Sequence, residues 1–159
     1  MNESIHFFTE KIHWRLRNKK RLREWITDTA TTERAIAGEI NFVFCDDDFL
    51  KAINFKYLKK STLTDIITFP LMDDESVISG DVFISLPRVH ENARKFKQRT
   101  ENELHRVMIH GILHLLGYRD STSDEKKTMT RKEDFYLERL TDIYHSPMSP
   151  IVKKAGILS

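Results

Sequence analysis

The segment that most constrains this chain is HRVMIHGILHLLGYRD, which covers residues 105–120. Its apolar residues predict a buried helix, and Gly117 ends that helix. His110 and His114 stand four residues apart, so both imidazoles project from one helical face, and Asp120 follows beyond the turn. This spacing fits two interpretations. Either the histidines are hydrogen-bonded core residues, or the three side chains hold a metal ion in a site that stays open to water.

The composition indicates one globular domain and excludes several other classes of protein. With 159 residues the chain has single-domain length and can bury a sizeable core. Its one cysteine, Cys45, excludes a disulfide framework and favours a reducing compartment, and we expect it to be buried at a strand end. We find neither a secretory signal nor an apolar run of ~20 residues, so we expect a cytoplasmic protein. The net charge is only +2, so any binding of nucleic acid must rely on a local patch.

Hydrophobic periodicity predicts an α+β fold in a single domain, with a mixed β-sheet flanked by helices and the metal-ligand helix buried. Strands are predicted at residues 4–9, 39–45, 64–69 and 80–85. Helices are predicted around residues 22–26, from 46 to about 57, from 87 to about 98, from 100 to 116 and from 122 to 144. The domain is expected to cover residues 1–146, and residues 147–159 are expected to form an irregular C-terminal tail.

Several helix ends and faces can be predicted from single residues. The acidic residues 46–48 are expected to cap the second helix. The threonine-rich residues 27–32 are expected to end the first helix, and Thr100 with Glu103 predicts a capping box for the histidine helix. The predicted apolar face of the last helix consists of Met129, Phe135, Leu137 and Leu140.

Residues 110–118, HGILHLLGY, resemble the signature H-G-x-L-H-L-x-G-Y of the YbeY family of bacterial single-strand endoribonucleases, which act in rRNA maturation. Two further family blocks, L-N-x-x-Y-R…P-T-D-V-L-S-F-P and G-D, are similar to residues at compatible spacing. These residues are Asn54, Tyr57, Thr64, Asp65, Phe69, Pro70, Gly80 and Asp81. The resemblance covers about residues 50–120. It departs from the family at the usual Asp-His pair, where this chain has Arg119 and Asp120. It also departs at Leu58, which replaces an arginine, and at Leu63, which replaces a proline.

The resemblance implies a zinc-dependent endoribonuclease that acts on single-stranded RNA in rRNA maturation and ribosome quality control, with the ribosome or its proteins as partners. It implies one Zn²⁺ or similar ion per chain, held by His110, His114 and Asp120. An aspartate oxygen binds zinc at about the same distance as the family's imidazole nitrogen. The predicted catalytic residues are His114, Lys59 and Arg119. Lys59 or its neighbour Lys60 is a candidate for the phosphate role of the missing arginine, and Arg119 is another. The nucleophile is either a metal-activated water or the RNA 2′-OH.

Two other functions would use the same helix. A metallopeptidase of the H-E-x-x-H type carries a glutamate base where this chain has Gly111. A non-catalytic ribosome assembly factor with a structural metal needs a fourth protein ligand. His105 points about 140° away from the ligand face and is not expected to bind metal. Asp65 and Asp81 are expected to cap turns. The seven basic residues within 11–23 form either a solvated face or a phosphate-binding patch.

Overall fold

The computed structural model of the chain describes residues 4–71 and 74–144, so the predicted boundary at residue 146 and the predicted tail lie outside the described residues. In chain order the elements are β1 (Ile5–Glu10), α1 (Lys19–Thr32), β2 (Ile36–Cys45), α2 (Asp47–Leu58), β3 (Ile66–Pro70), β4 (Val77–Ser85), α3 (Leu86–Lys95), α4 (Thr100–Leu115) and α5 (Ser123–Tyr144). Within the described ranges, no helix combines the length and the apolar character that crossing a bilayer requires.

The four strands form one mixed sheet in the order β1-β2-β4-β3. Strands β1, β2 and β4 are parallel, whereas β3 pairs with β4 in the antiparallel sense at one edge. The predicted α+β fold with a single mixed sheet is therefore confirmed. Strands β2 and β4 each begin three residues earlier than predicted, at Ile36 and Val77. The prediction missed these residues because Gly38 and Gly80 interrupt the apolar alternation at the start of each strand.

Helix α4 packs closely against strands β3 and β4, and Gly111 makes this close approach possible. A Cβ atom at Gly111 would lie 2.8 Å from Cγ1 of Val82 and 3.0 Å from Cδ1 of Ile66. Real Cβ atoms almost never come this close to another heavy atom. Side chains of the sheet therefore occupy the space that a side chain at position 111 would need. The helix is buried over most of its length, as predicted. Its histidine-bearing side consequently lies beside the edge strand β3.

One prediction about a helix end is wrong, and another holds only at the last residue. α1 does end in the threonine-rich segment, at Thr32, but the earlier residues of the segment are helical. Thr27 Oγ1 and Thr29 Oγ1 donate to backbone carbonyls four residues earlier, at 2.8 and 2.9 Å, so their hydroxyls have partners within the helix. The capping box of α4 does not form. Thr100 is already inside the helix, the N-cap is Arg99, and Glu103 is buried. The predicted acidic cap of α2 is confirmed, since Asp46 Oδ1 accepts a hydrogen bond from the Phe49 amide at 2.8 Å.

The predicted apolar face of α5 is wrong at one position. Phe135 is 48 % exposed, whereas its neighbour Tyr136 is fully buried. The buried residues of α5 are Met129, Glu133, Tyr136 and Leu140, whose spacing follows the helical period. A tyrosine and a glutamate in this set make the buried face too polar to be recognised from hydrophobicity alone. Cys45 is buried at the end of β2, as predicted.

Candidate metal centre

Three side-chain atoms converge beside the C-terminal half of α4. His110 Nε2 and His114 Nε2 are 3.0 Å apart, and Asp120 Oδ2 lies 3.3 Å from the first and 3.4 Å from the second. Ligand atoms of a tetrahedral zinc site lie about 2.0–2.2 Å from the ion and therefore about 3.3–3.6 Å from one another. The two separations from Asp120 fall in this range and the separation of the two nitrogens, 3.0 Å, is slightly shorter, so the structure brings the three predicted ligands together close to three corners of such a tetrahedron. Within residues 4–71 and 74–144 they form the one cluster of this kind.

The second nitrogen of each imidazole is already engaged by an acceptor. His110 Nδ1 donates to Glu133 Oε2 at 2.6 Å, and His114 Nδ1 donates to the Tyr118 carbonyl at 3.0 Å. With the hydrogens on Nδ1, both Nε2 atoms present lone pairs towards each other and towards the Asp120 carboxylate. Such a cluster requires a positive charge at its centre, either a proton or a cation. The residues present therefore fit a metal ion with two nitrogen ligands and one oxygen ligand.

Glu133 is a functional candidate that the sequence analysis missed. Its side chain is 9 % exposed, and its second oxygen accepts a hydrogen bond from Arg106 NH1 at 2.7 Å. Burial by itself would lower the pKa of His110, but the bond and charge of Glu133, together with Asp120 and Asp65, raise that pKa overall. The Glu133 carboxylate therefore favours a positive charge at His110, whether a proton or a metal ion. The sequence offered one sign of this role: Glu133 stands at helical spacing from Met129 and Tyr136, on the buried face of α5.

The three converging atoms open into a cleft with a volume of about 380 Å³ along the free edge of β3. The residues that line it are Asn54, Leu58, Lys60, Thr62, Thr64, Asp65, Ile66, Ile67, Thr68, His110, His114 and Asp120. Burial raises the pKa of Asp65, one of the two acids expected to be structural, and its Oδ2 accepts a long hydrogen bond of 3.5 Å from Asn92. Asp81 lies outside the cleft lining and accepts a bond of 3.0 Å from Asn41, which joins β2 to β4.

Of the three predicted catalytic residues, only His114 lines the cleft. Lys59 is the residue after α2 and has a left-handed backbone with φ of 56°, which turns the chain so that Lys60 lines the cleft instead. Arg119 is exposed, lies near Glu125 and is not part of the lining. Lys60, which the sequence analysis gave as the alternative to Lys59, is therefore the lysine that lines the cleft.

The remaining candidates lie elsewhere. His105 is buried with its ring 6.1 Å from that of Trp25, away from the ligand cluster, and burial lowers its pKa. In the basic segment 11–23, Arg23 Nε donates to the Ile5 carbonyl at 2.8 Å, and Arg21 donates to a backbone carbonyl of α5. Residues 19–23 of this segment belong to α1, which packs against β2 and α5, and no residue of the segment is in the cleft lining.

Comparisons with known proteins agree with this fold and this cluster. A family model described as Endoribonuclease YbeY matches residues 4–141. Among similar proteins named Endoribonuclease YbeY, that of Amoebophilus asiaticus is 42 % identical over 134 residues, which are 84 % of this chain and 91 % of the relative. That of Flavobacterium psychrophilum is 44 % identical over 82 % of this chain and 93 % of its own length.

One solved structure is also similar. The solution structure of TM1509 from Thermotoga maritima has a TM-score of 0.63 and 31 % sequence identity, and the match covers 92 % of this chain and 95 % of that protein. The resemblance first recognised over residues 50–120 therefore extends over nearly the whole described chain. The matched length, the identities and the ligand cluster at the signature residues agree, and the chain belongs to the endoribonuclease YbeY family.

Proposed function

We propose that this protein is a zinc-dependent endoribonuclease that cleaves single-stranded RNA, and that it acts in rRNA maturation and ribosome quality control in the cytoplasm. Its relatives are named endoribonucleases, and RNA is the substrate that this name implies. The observation that carries the chemistry is the convergence of two imidazole nitrogens and one carboxylate oxygen at the end of an open cleft. Three protein ligands are the usual number in a catalytic zinc site, because a position then remains for water or substrate.

His110, His114 and Asp120 would hold the ion. When bound, a metal of this class acidifies water and polarises a phosphoryl oxygen. The protein's own contribution is to fix the donors: Glu133 and the Tyr118 carbonyl hold the two imidazoles with Nε2 facing the cleft. The attacking group is either water or the RNA 2′-OH, and both routes need a phosphate held beside the three donors.

We assign the phosphate contact first to Lys60, because its side chain lines the same cleft as the three donors. Lys59 and Arg119 flank the cleft and are the further candidates for contacts to neighbouring phosphates. A lysine offers a point charge and lacks the two-pronged geometry of the arginine that the family has at Leu58. Binding through Lys60 should therefore be strongly dependent on salt.

The metallopeptidase alternative is disfavoured by the packing of Gly111. The peptidase base would have to stand at this position, but a side chain here meets Val82 and Ile66 of the sheet. A glutamate at position 111 would displace the sheet before it reached the cleft. The alternative of a structural metal in an assembly factor predicts metal uptake without cleavage, so an activity measurement separates it.

The proposed function is tested by measuring the metal content of protein purified without chelator, and by measuring cleavage of RNA and of casein by the same preparation. We expect about one zinc-like ion per chain, cleavage of a single-stranded rRNA fragment, little cleavage of the same RNA as a duplex, and none of casein. Dialysis against a chelator should stop cleavage, and zinc should restore it. Stoichiometric metal with no RNA cleavage would favour the assembly factor, and casein cleavage would favour the peptidase.

The assignment of Lys60 predicts a specific change in RNA binding. Replacing Lys60 with alanine should weaken binding of single-stranded RNA and reduce the dependence of log K on log salt by about 0.7, the value for one phosphate contact on a single strand. Lys51, an exposed lysine of α2 outside the cleft lining, is the matched control, and its alanine variant should bind as wild type does. Affinities measured at several salt concentrations decide the matter. Equal slopes for Lys60→Ala and wild type would move the phosphate contact elsewhere, with the exposed residues of segment 11–23 as the next candidates.

A further inference from the structure

Glu33, the residue that follows α1, carries a carboxylate that accepts three side-chain hydrogen bonds. Tyr118 donates to Oε1 at 2.6 Å, Lys132 donates to Oε2 at 2.8 Å, and the Tyr136 hydroxyl also donates to Oε2. The side chain is only 11 % exposed. Burial alone would raise the pKa of Glu33, but the three hydrogen bonds outweigh it and lower that pKa. The carboxylate is therefore ionised at neutral pH and firmly held between α1 and α5.

Tyr118 connects this carboxylate to the metal centre. Its hydroxyl bonds Glu33, its backbone carbonyl accepts the hydrogen bond from His114 Nδ1 at 3.0 Å, and its amide donates to the Leu113 carbonyl at 3.0 Å. The Lys132 ammonium also lies over the face of the Tyr118 ring, 5.3 Å from its centre, in a cation–π contact. Tyr118 is thus bonded to Glu33 through its side-chain hydroxyl and to the ligand candidate His114 through its backbone carbonyl.

The chain around Tyr118 needs such support. Gly117 has a positive φ of 102°, and residues 118–120 belong to no helix or strand. Asp120 therefore projects from an irregular turn, whereas His110 and His114 project from a packed helix. Side chains on loops are held less precisely than side chains on helices unless neighbouring groups fix the loop. The ring of Tyr118, two residues before Asp120, is the part of this turn that is fixed to α1 and α5.

We propose that Glu33 and Tyr118 are positioning residues for the metal centre. Glu33 fixes the Tyr118 hydroxyl, and Tyr118 in turn orients His114 through its carbonyl and sets the position of the turn that carries Asp120. The inference rests on the proposed function, in that it takes the three-atom cluster as the metal site. Neither residue touches the metal, so both act on its affinity and geometry through the ligands.

The alternative is that the Glu33 carboxylate only joins α1 to α5 and stabilises the fold. Tyr136 distinguishes the two, because its hydroxyl binds the same carboxylate from α5, while its backbone carbonyl accepts from Trp25 Nε1 at 2.7 Å and not from a ligand candidate. Tyr136→Phe and Tyr118→Phe each remove one hydroxyl from the same acid. A structural role predicts similar effects for both variants, whereas a positioning role predicts that only Tyr118→Phe changes metal binding.

The test titrates metal-free protein with Co²⁺ and follows visible absorption, which reports both affinity and ligand geometry. We expect Tyr118→Phe to weaken Co²⁺ binding by about 10-fold and to change the absorption bands. This is the low end of the loss seen when a group bonded directly to a ligand is removed, because the variant keeps the carbonyl that accepts from His114 and loses only the hydroxyl that fixes the turn to Glu33. Tyr136→Phe should bind Co²⁺ within about twofold of wild type, even where its unfolding temperature in chelator falls. Glu33→Gln, which keeps an acceptor oxygen, should retain more affinity than Glu33→Ala.

Three outcomes overturn the inference, and each has a different meaning. If wild type binds Co²⁺ and Tyr118→Phe binds it equally well with the same absorption bands, the positioning role is wrong while the metal centre stands. If wild type itself takes up no Co²⁺, the metal centre of the proposed function is wrong and the inference falls with it. Equal losses of affinity in Tyr118→Phe and Tyr136→Phe would also contradict it, since that result assigns the effect to the general stability of the Glu33 contacts.

Discussion

Replacing His114 with alanine should abolish metal uptake and RNA cleavage together while the protein stays folded. His114 supplies one of three converging donor atoms, at 3.0 Å from His110 Nε2 and 3.4 Å from Asp120 Oδ2. With two protein donors left, tight binding is lost, so the effect should exceed the about 10- to 100-fold loss that follows from removing a partner behind a ligand. The fold should survive because the core of α4 consists of its leucine, isoleucine, valine and methionine side chains.

The measurements are zinc content after dialysis, single-turnover cleavage of single-stranded RNA and thermal unfolding in the presence of chelator. The lost hydrogen bond to the Tyr118 carbonyl should cost about 1 kcal/mol of unfolding free energy, so the unfolding temperature should fall only by a few degrees. His90 provides the matched control, because it is exposed on α3 and its Nδ1 forms a hydrogen bond with Thr100 Oγ1 at 3.1 Å. His90→Ala should keep metal and activity. Cleavage by His114→Ala at the wild-type rate would show that His114 has no catalytic role.

The ligand cluster could be predicted from the sequence because it depends on local geometry. His110 and His114 share a face through the helical period, and Gly117 allows the chain to turn so that Asp120 reaches the same point. Nothing beyond about ten residues of chain is needed for this prediction. The mixed sheet was predictable for a similar reason, since the alternation within each strand is also a local pattern.

The groups that support the cluster could not be predicted, because they come from distant parts of the chain. Glu133 reaches His110 from α5, and Glu33 reaches Tyr118 from the end of α1. Each is a polar residue on a face that hydrophobicity alone assigns to solvent. Tyr136 was missed for the same reason, since its ring is buried and its hydroxyl donates a hydrogen bond to Glu33. Long-range polar contacts of this kind leave no periodic signal in the sequence.

The sequence analysis favoured Lys59 as the phosphate contact, whereas Lys60 lines the cleft, and this difference has another origin. The end of α2 adopts a left-handed turn at Lys59, in which the Lys60 amide donates to the Asn54 carbonyl at 3.3 Å. This geometry usually requires glycine, so the sequence gives no warning of it. Asn54 itself is buried, and its side chain donates to the Thr62 carbonyl at 2.9 Å, which folds the following segment along the cleft. The lysine that faces the cleft is thus decided by a turn that residue preferences do not predict.

Replacing Asp120 with alanine should remove most of the metal affinity, whereas Asp120→His should retain it. Asp120 is the ligand candidate at which this chain departs from the family, which usually has histidine there. Its side chain is 42 % exposed, so an imidazole fits without displacing core residues. Nitrogen and oxygen ligands bind zinc at similar lengths, about 2.0–2.2 Å, and a histidine can therefore supply the third donor. The readouts are the zinc dissociation constant at constant pH and the rate of single-turnover RNA cleavage.

Asp120→His also makes a prediction about the pH dependence of cleavage. Asp120→His removes one negative charge beside the ion, and water near a more positive centre loses its proton at lower pH. If cleavage proceeds through water, the rise of the pH–rate profile should therefore move to lower pH in Asp120→His than in wild type. A profile that does not move, with metal affinity retained, would favour the RNA 2′-OH as the nucleophile. If Asp120→Ala binds zinc as tightly as wild type, Asp120 is not a ligand, and the negative charge at this turn has no part in the chemistry.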